Sequence, residues 1–176
     1  MSGVEGEVRG FQAELDATLG RVRACVERLR SAASDDLAFL IAERLPVLGS
    51  AAIPGLLEIM DDAEASGSLR YLAAWAAIEV GERGESVAVL CSEVEARTRW
   101  SLPAAGVLAR HRVHEGARSV AAALAGVDPQ NTIEVMGYAT ALRDLGGVLP
   151  ASVRQRFLAE SPSWVARAIS EDFPTA

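Results

Sequence analysis

The sequence predicts an all-α fold, and three observations predict it. Strand-like alternation of Val, Ile, Thr and aromatic residues never extends over four or more positions between turn residues. Apolar residues instead recur at intervals of three and four along most of the chain. The composition agrees: of 176 residues 32 are Ala, all 17 basic residues are Arg and only nine are aromatic, so the apolar half is small and aliphatic, which favours helix.

Taken in order, Val8, Phe11, Leu15, Leu19, Val22, Val26 and Leu29 form one apolar stripe, which predicts a helix over about residues 5–32. At 1.5 Å per residue it is about 40 Å long. Arg9, Glu14, Asp16, Arg21, Arg23, Glu27, Arg28 and Arg30 lie off the stripe, as a terminal capping helix requires. Ser34 then supplies an N-cap, and Asp35 and Asp36 first-turn acids, for a second helix to about Leu48. The tails Leu48-Gly49, Val80-Gly81, Val113-His114 and Leu145-Gly146 each close a helix, at separations of 32, 33 and 32 residues. A fixed period of this kind marks a repeated structural unit. Pro103, Pro129, Pro150 and Pro162 fall near helix starts, where a missing N–H is not needed. The remaining helices are expected at about 51–61, 68–80, 83–96, 100–112, 115–126, 130–145, 150–160 and 162–172, giving about ten in all. In 68–80, Leu69, Leu72, Ala73, Ala76 and Val80 make one stripe and Tyr71, Trp75 and Ile78 a second. A helix apolar on two sides needs neighbours on both, which is the physical reason for stacking repeats.

At the level of residues, Gly49 to Asp62 (GSAAIPGLLEIMDD) resembles the second helix of a HEAT repeat, with its Gly turn, Ala-Ile-Pro step, Leu pair and acidic end. Leu69 to Gly81 (LRYLAAWAAIEVG) resembles the first helix of the following repeat. The match fades further on: Arg99 to Val113 keeps the pair Ala104-Ala105 but has His114 where Gly is expected, and Thr132 to Gly146 carries Gly137-Tyr138 at its centre. The resemblance implies a right-handed α-solenoid of about five HEAT-like hairpins. Its domains would be a capping helix at 1–34 and a continuous repeat region at 35–176.

Functional chemistry is sparse. Uncharged apolar stretches such as Ala51 to Leu57 are well short of the roughly 20 residues of a membrane span, so none is expected. Residues 1–10 have no secretory h-region, and Cys25 and Cys91 stand far apart without a C-x-x-C spacing, so a cytoplasmic protein with reduced thiols is expected. The cluster Arg110-His111-Arg112-Val113-His114-Glu115 lacks the i, i+4 His spacing of a metal site and places Arg between the candidate ligands. No metal ligands, cofactor site or catalytic residues are assigned, since nucleotide loops, nucleophile elbows and triads have no motif here. Paired acids at Asp35-Asp36, Asp61-Asp62-Ala63-Glu64 and Glu171-Asp172 sit at expected helix boundaries and read as caps and solvated turns.

Charge is the most informative functional feature. Net charge is 0 over residues 1–34, −6 over 35–65, −3 over 66–96, +4 over 97–127 and −2 over 128–176. Candidate partner-binding residues are therefore Glu58, Glu85, Glu93 and Arg118, which fall on second repeat helices and so on a solenoid's concave face, and the basic belt of Arg97, Arg99, Arg110, Arg112 and the same Arg118. Trp100 is the aromatic anchor chosen among Tyr71, Trp75, Trp100 and Trp164, because Trp and Arg commonly anchor interfaces. The alternative is that Arg97 and Arg99 pair locally with Glu93 and Glu95. The expected partner is another protein, not nucleic acid. The resemblance also admits enzymes, the bilin lyases and alkylpurine DNA glycosylases, although none of their functional residues can be placed here. An immunity or regulatory partner of a basic protein is a third reading. The first helix, with a spacing near 3.5, also suits a homodimer seam, though Gly10 and Gly20 weaken it.

Overall fold

The computed structural model describes residues 2–174, with side chains described from Gln12 onward. Val8, Arg9 and Phe11, assigned by spacing to the faces of the first helix, lie outside the residues whose side chains are described. Among the described residues there is no strand. The chain divides into two compact units, residues 1–86 and 87–176.

The first unit contains α1 (Ser2–Arg30), α2 (Asp35–Arg44), a 3-10 segment (Leu45–Ala52), α3 (Ile53–Asp61) and α4 (Gly67–Glu79). Ser34 caps α2 as expected, its hydroxyl accepting from the Leu37 N–H at 3.3 Å, and Ser66 does the same for α4 through Leu69 at 3.2 Å. The second helix ends at Arg44, not Leu48, because Pro46 follows and the chain tightens into 3-10 turns. Helical residues nonetheless run from Asp35 to Asp61, 27 residues with a window of mean hydropathy 1.4, long and apolar enough by composition to cross a membrane. That differs from the expectation drawn from shorter uncharged runs. Gly49, at φ 64° and ψ −158°, is non-helical and kinks this run. α4 is the centre of the unit, packing on α2, α3 and the 3-10 segment. Its Tyr71, Leu72, Ala73, Ala74, Ala76, Ala77 and Ile78 are all buried, so both predicted stripes are used. The repeated Ala lets these helices approach closely. α1 docks through Val22, Val26 and Leu29, which are buried, whereas residues 12–20 are all exposed.

α5 (Glu85–Ala96) begins at the end of the first unit, and the second continues with α6 (Ser101–Arg110), a 3-10 turn (His114–Gly116), α7 (Ala117–Ala125), α8 (Thr132–Asp144), α9 (Ala151–Glu160) and α10 (Ser163–Asp172). Here α6 packs on α8, α8 on α7 and α10, and α9 on α10, around Leu108, Leu124, Leu142 and Phe157.

Three helices, α4, α6 and α8, close with the same hydrogen-bond pattern. Gly81 N–H donates to Ile78 O and Glu82 N–H to Ala77 O; Arg112 to Ala109 O and Val113 to Leu108 O; Gly146 to Arg143 O and Gly147 to Leu142 O. This is the Schellman closure, which needs one left-handed residue. Gly81 (φ 95°) and Gly146 (φ 68°) supply it without a Cβ penalty, but in α6 the residue is Arg112 (φ 52°). The place expected at His114 is therefore two residues earlier, and the left-handed positions are 31 and 34 residues apart.

Candidate protein-interaction site

The site is built where α5 ends and α6 begins. Arg97 follows the last residue of α5 with φ 54°, a left-handed conformation that non-glycine residues seldom adopt. The Thr98 hydroxyl donates to Glu93 Oε2 at 2.7 Å and accepts from the Trp100 N–H at 3.1 Å, while Ser101 N–H donates to Thr98 O. Behind the loop, Tyr138 OH donates to Ser101 Oγ and Ser101 Oγ donates to Val94 O, both at 2.7 Å. Tyr138 and Ser101 are buried, and this relay ties the end of α5 and the start of α6 to the middle of α8. Gly137 lets α8 come close: a Cβ there would stand 2.6 Å from Leu102 Cδ1.

These links frame a groove of about 420 Å³ whose lining includes Arg97, Arg99, Leu102, Ile133, Glu134 and Tyr138. Asn131 shapes its far wall, capping α8 by accepting from the Glu134 N–H at 3.3 Å. Ile133 is 77% exposed at the rim, a large aliphatic group with nothing over it. The Arg99 guanidinium sits 4.9 Å from the Trp100 ring centroid, a cation–π arrangement that holds the cation beside the groove. Arg97 folds back toward the end of α7, where a Cβ on Gly126 would lie 2.5 Å from Arg97 Nη1. A cation there is favoured by the negative end of the helix dipole. Of the acids considered for local pairing with this segment, Glu93 accepts from Thr98 and Glu95 from the Ser119 hydroxyl at 2.7 Å.

The structure distributes the other predicted residues. Arg110 ends α6 and Arg112 occupies its left-handed closure. Arg118 lines a separate depression beside Ala121, Val148 and Pro150. The basic stretch thus falls in three places: Arg97 and Arg99 beside Trp100 before α6, Arg110 and Arg112 at the end of α6, and Arg118 in α7. Glu58 lies in the first unit, 3.8 Å from Arg30. Glu85 is exposed in the first turn of α5, and Glu93 is taken up by Thr98. Trp164 is 56% exposed and Trp100 only partly so, which reverses the expected ranking, because Arg99 covers Trp100. Trp75 donates to Glu79 at 3.1 Å and stacks on Phe39, and Tyr71 is buried.

His114 Nδ1 lies 2.7 Å from Leu145 O, which fixes a proton on Nδ1 and makes the ring a bridge between the turn before α7 and the end of α8. Among the described residues no group of three or more His, Cys, Asp or Glu is placed to hold a metal. Burial, helped by the charges of Glu95 and Glu115 and opposed by Ser119, pushes the Cys91 thiol up, away from the reactive thiolate. Glu82 goes the other way: burial opposes its charge, but hydrogen bonds from Ser86, Gly84 and Glu85 hold its carboxyl below the ordinary 4.5. It caps α5, accepting from the Gly84 N–H at 2.6 Å and the Ser86 N–H at 2.8 Å.

Ser101, Ile133 and Tyr138 are site residues that the sequence pattern does not single out. Ser101 and Tyr138 are 37 positions apart, so no local spacing joins them. Compared with family models, curated proteins and solved structures, the chain finds no match.

Proposed function

We propose that this chain is a non-catalytic, cytoplasmic protein-interaction module, a HEAT-like right-handed solenoid, and that it takes an acidic segment of another protein at the Arg97–Tyr138 groove. The recurrence of one helix closure in α4, α6 and α8, and the packing of α6 on α8 with α7 beside it, support the repeat reading. The groove itself carries the functional reading. Its lining brings together Arg97, Arg99 with an indole under its guanidinium, Glu134 and an uncovered isoleucine, a mixture of cation and apolar anchor that suits a carboxylate-bearing peptide. Arg97 is also held in a costly backbone conformation, and such conformations cluster at functional positions.

The test is a titration of Trp fluorescence and binding heat with acidic, apolar-flanked peptides. Saturable binding that Arg97→Glu with Arg99→Glu weakens by at least about tenfold, or about 1.4 kcal/mol, supports the reading. Peptide binding indifferent to that pair of changes removes the groove from consideration. Duplex DNA serves as the control, and salt-sensitive DNA binding lost in the same variant would favour a nucleic-acid partner instead.

A further inference from the structure

We infer that the outer face of α2, with the edge of α4 beside it, is a docking surface for a basic amphipathic helix of another protein. α2 packs on α4 with Ala38 and Ala42 buried, and leaves Leu37, Phe39 and Leu40 exposed, Leu40 at 57%. The Phe39 ring stacks on Trp75 of α4, the centroids 5.1 Å apart and the planes 20° from parallel. Trp75 is fixed in turn by its hydrogen bond to Glu79, so the two rings form a set platform across the helices. Val47, 84% exposed, continues the apolar surface past the end of α2.

The uncovered apolar surface is the reason for an occupant. In the run Asp35–Asp61 only 22% of the most apolar 18-residue window is buried. Gly49 kinks this run, and Leu56, Ile59 and Met60 hold its α3 end in the core, so the run does not leave the body as one straight helix. What stays uncovered is α2 and the turn after it. A cluster of Leu, Phe and Val side chains left in water is a surface that a partner gains by burying.

Charge selects the class of occupant. Asp36, Phe39, Leu40 and Glu43 stand at i, i+3, i+4 and i+7 and so share one face of α2, and both acids are exposed. Arg44 borders this face on the side away from Phe39, and Arg83 comes one turn after Glu79. Counted with Asp35, the surface has four acids against these two cations, inside stretches of net −6 over 35–65 and −3 over 66–96. That field draws a cationic helix, whose Arg side chains can also lie against the aromatic pair. A bilayer is disfavoured by the same acids, since anionic headgroups attract basic helices. Asp36 and Glu43 are seven residues apart, about 10.5 Å along the axis. The complementary partner helix therefore carries Arg-x-x-Leu-Leu-x-x-Arg, its Leu pair over Phe39 and Leu40 and its Arg at the two acids. This surface is independent of the Arg97–Tyr138 groove, whose residues all belong to 87–176.

The test titrates the full chain into a labelled helical peptide of that pattern, read by fluorescence anisotropy, with a version bearing Glu in place of Arg as control. Saturable binding of the Arg peptide that weakens with added salt is expected. Leu40→Ser, and separately Asp36→Asn with Glu43→Gln, should each raise its Kd at least about fivefold with helical content retained, because these side chains lie outside the core. Arg97→Glu with Arg99→Glu should leave it within about twofold, which separates this surface from the groove of the second unit. Absence of saturable binding, equal binding of the Glu peptide, or indifference to either set of changes would overturn the inference. So would binding to neutral or phosphatidylserine vesicles that Leu40→Ser abolishes, or self-association that it abolishes, since α2 would then serve a bilayer or a second copy.

Discussion

Residues 1–86 carry eight Arg against fifteen acidic side chains, whereas residues 87–176 carry nine of each, so all of the net −7 lies in the first unit. The second unit uses its balance for stitching between successive helices. Arg143 donates to both carboxylate oxygens of Asp172 at 3.2 Å, Arg156 to the carbonyls of Ala125 and Val127 at 2.8 and 3.1 Å, and Arg154 to Phe173 O at 2.6 Å. Gln130 reaches Glu160 O, and His114 reaches Leu145 O. In the first unit the long-range polar links include Ser68 to Asp35 at 3.4 Å and Arg30 to Glu58 at 3.8 Å. It relies on buried Ala and Leu around α4, and it leaves Leu15, Leu19, Leu37, Leu40 and Val47 exposed. The lesson is that long side chains, mostly Arg, can stitch successive helices by reaching backbone carbonyls across the gap, whereas the first unit holds its helices together mainly by close apolar packing around α4.

If that contrast is right, the most damaging changes differ between the units. Leu29→Ala, at a fully buried position that anchors α1, should cost about 2–5 kcal/mol in urea unfolding and raise hydrogen exchange within residues 1–86. Ser101→Ala should cost about 1–3 kcal/mol, because it strands the buried Tyr138 hydroxyl, and Tyr138→Phe about 0.5–1.5 kcal/mol; combining the two should cost less than the sum. A strictly additive pair would show that the relay does not act as a unit.

Arg97→Gly is expected to move two properties in opposite directions. Removing the Cβ from a left-handed position should stabilise the chain by about 0.5–1 kcal/mol in thermal unfolding, while acidic-peptide affinity falls. A variant that loses stability would show that the Arg97 side chain is held for packing over the end of α7 and not for binding.

The smallest expected effect concerns acid. Glu82 is depressed in the folded state, so its cap is fully effective above the ordinary carboxyl value near 4.5 and is lost as pH falls through the lower folded value. Amide exchange at Gly84, Glu85 and Ser86 should accelerate in that window, and Glu82→Gln should flatten the dependence. Unchanged exchange across the window would mean that the carboxylate is not what holds the start of α5.

Short-range features are legible in the chain's own spacing. Ser34 with Asp35 and Asp36 marks a helix start because the capping bond spans three residues, and the two stripes of α4 mark a helix enclosed on nearly all sides because burial follows the 3.6-residue turn. The regular punctuation also survives, but shifted: an Arg stands in a left-handed closure that glycine normally fills, since the closure is set by the Leu108 and Ala109 carbonyls and not by residue type. The candidate site is legible only in its Arg97, Arg99 and Trp100 edge.

By itself, then, the sequence determined that this chain is helical, where most of its helices start, and how charge is apportioned along it, because propensity, capping and periodicity act within a few residues of chain. Only the tertiary structure decided that the basic stretch falls in three places, that Ser101 and Tyr138 support the groove, and that Leu15 and Leu19 remain outside the core. Those outcomes depend on which helix faces meet across 30 or more residues of chain, and the close approaches at Gly55 and Gly137 that permit the meetings have no signature in local spacing.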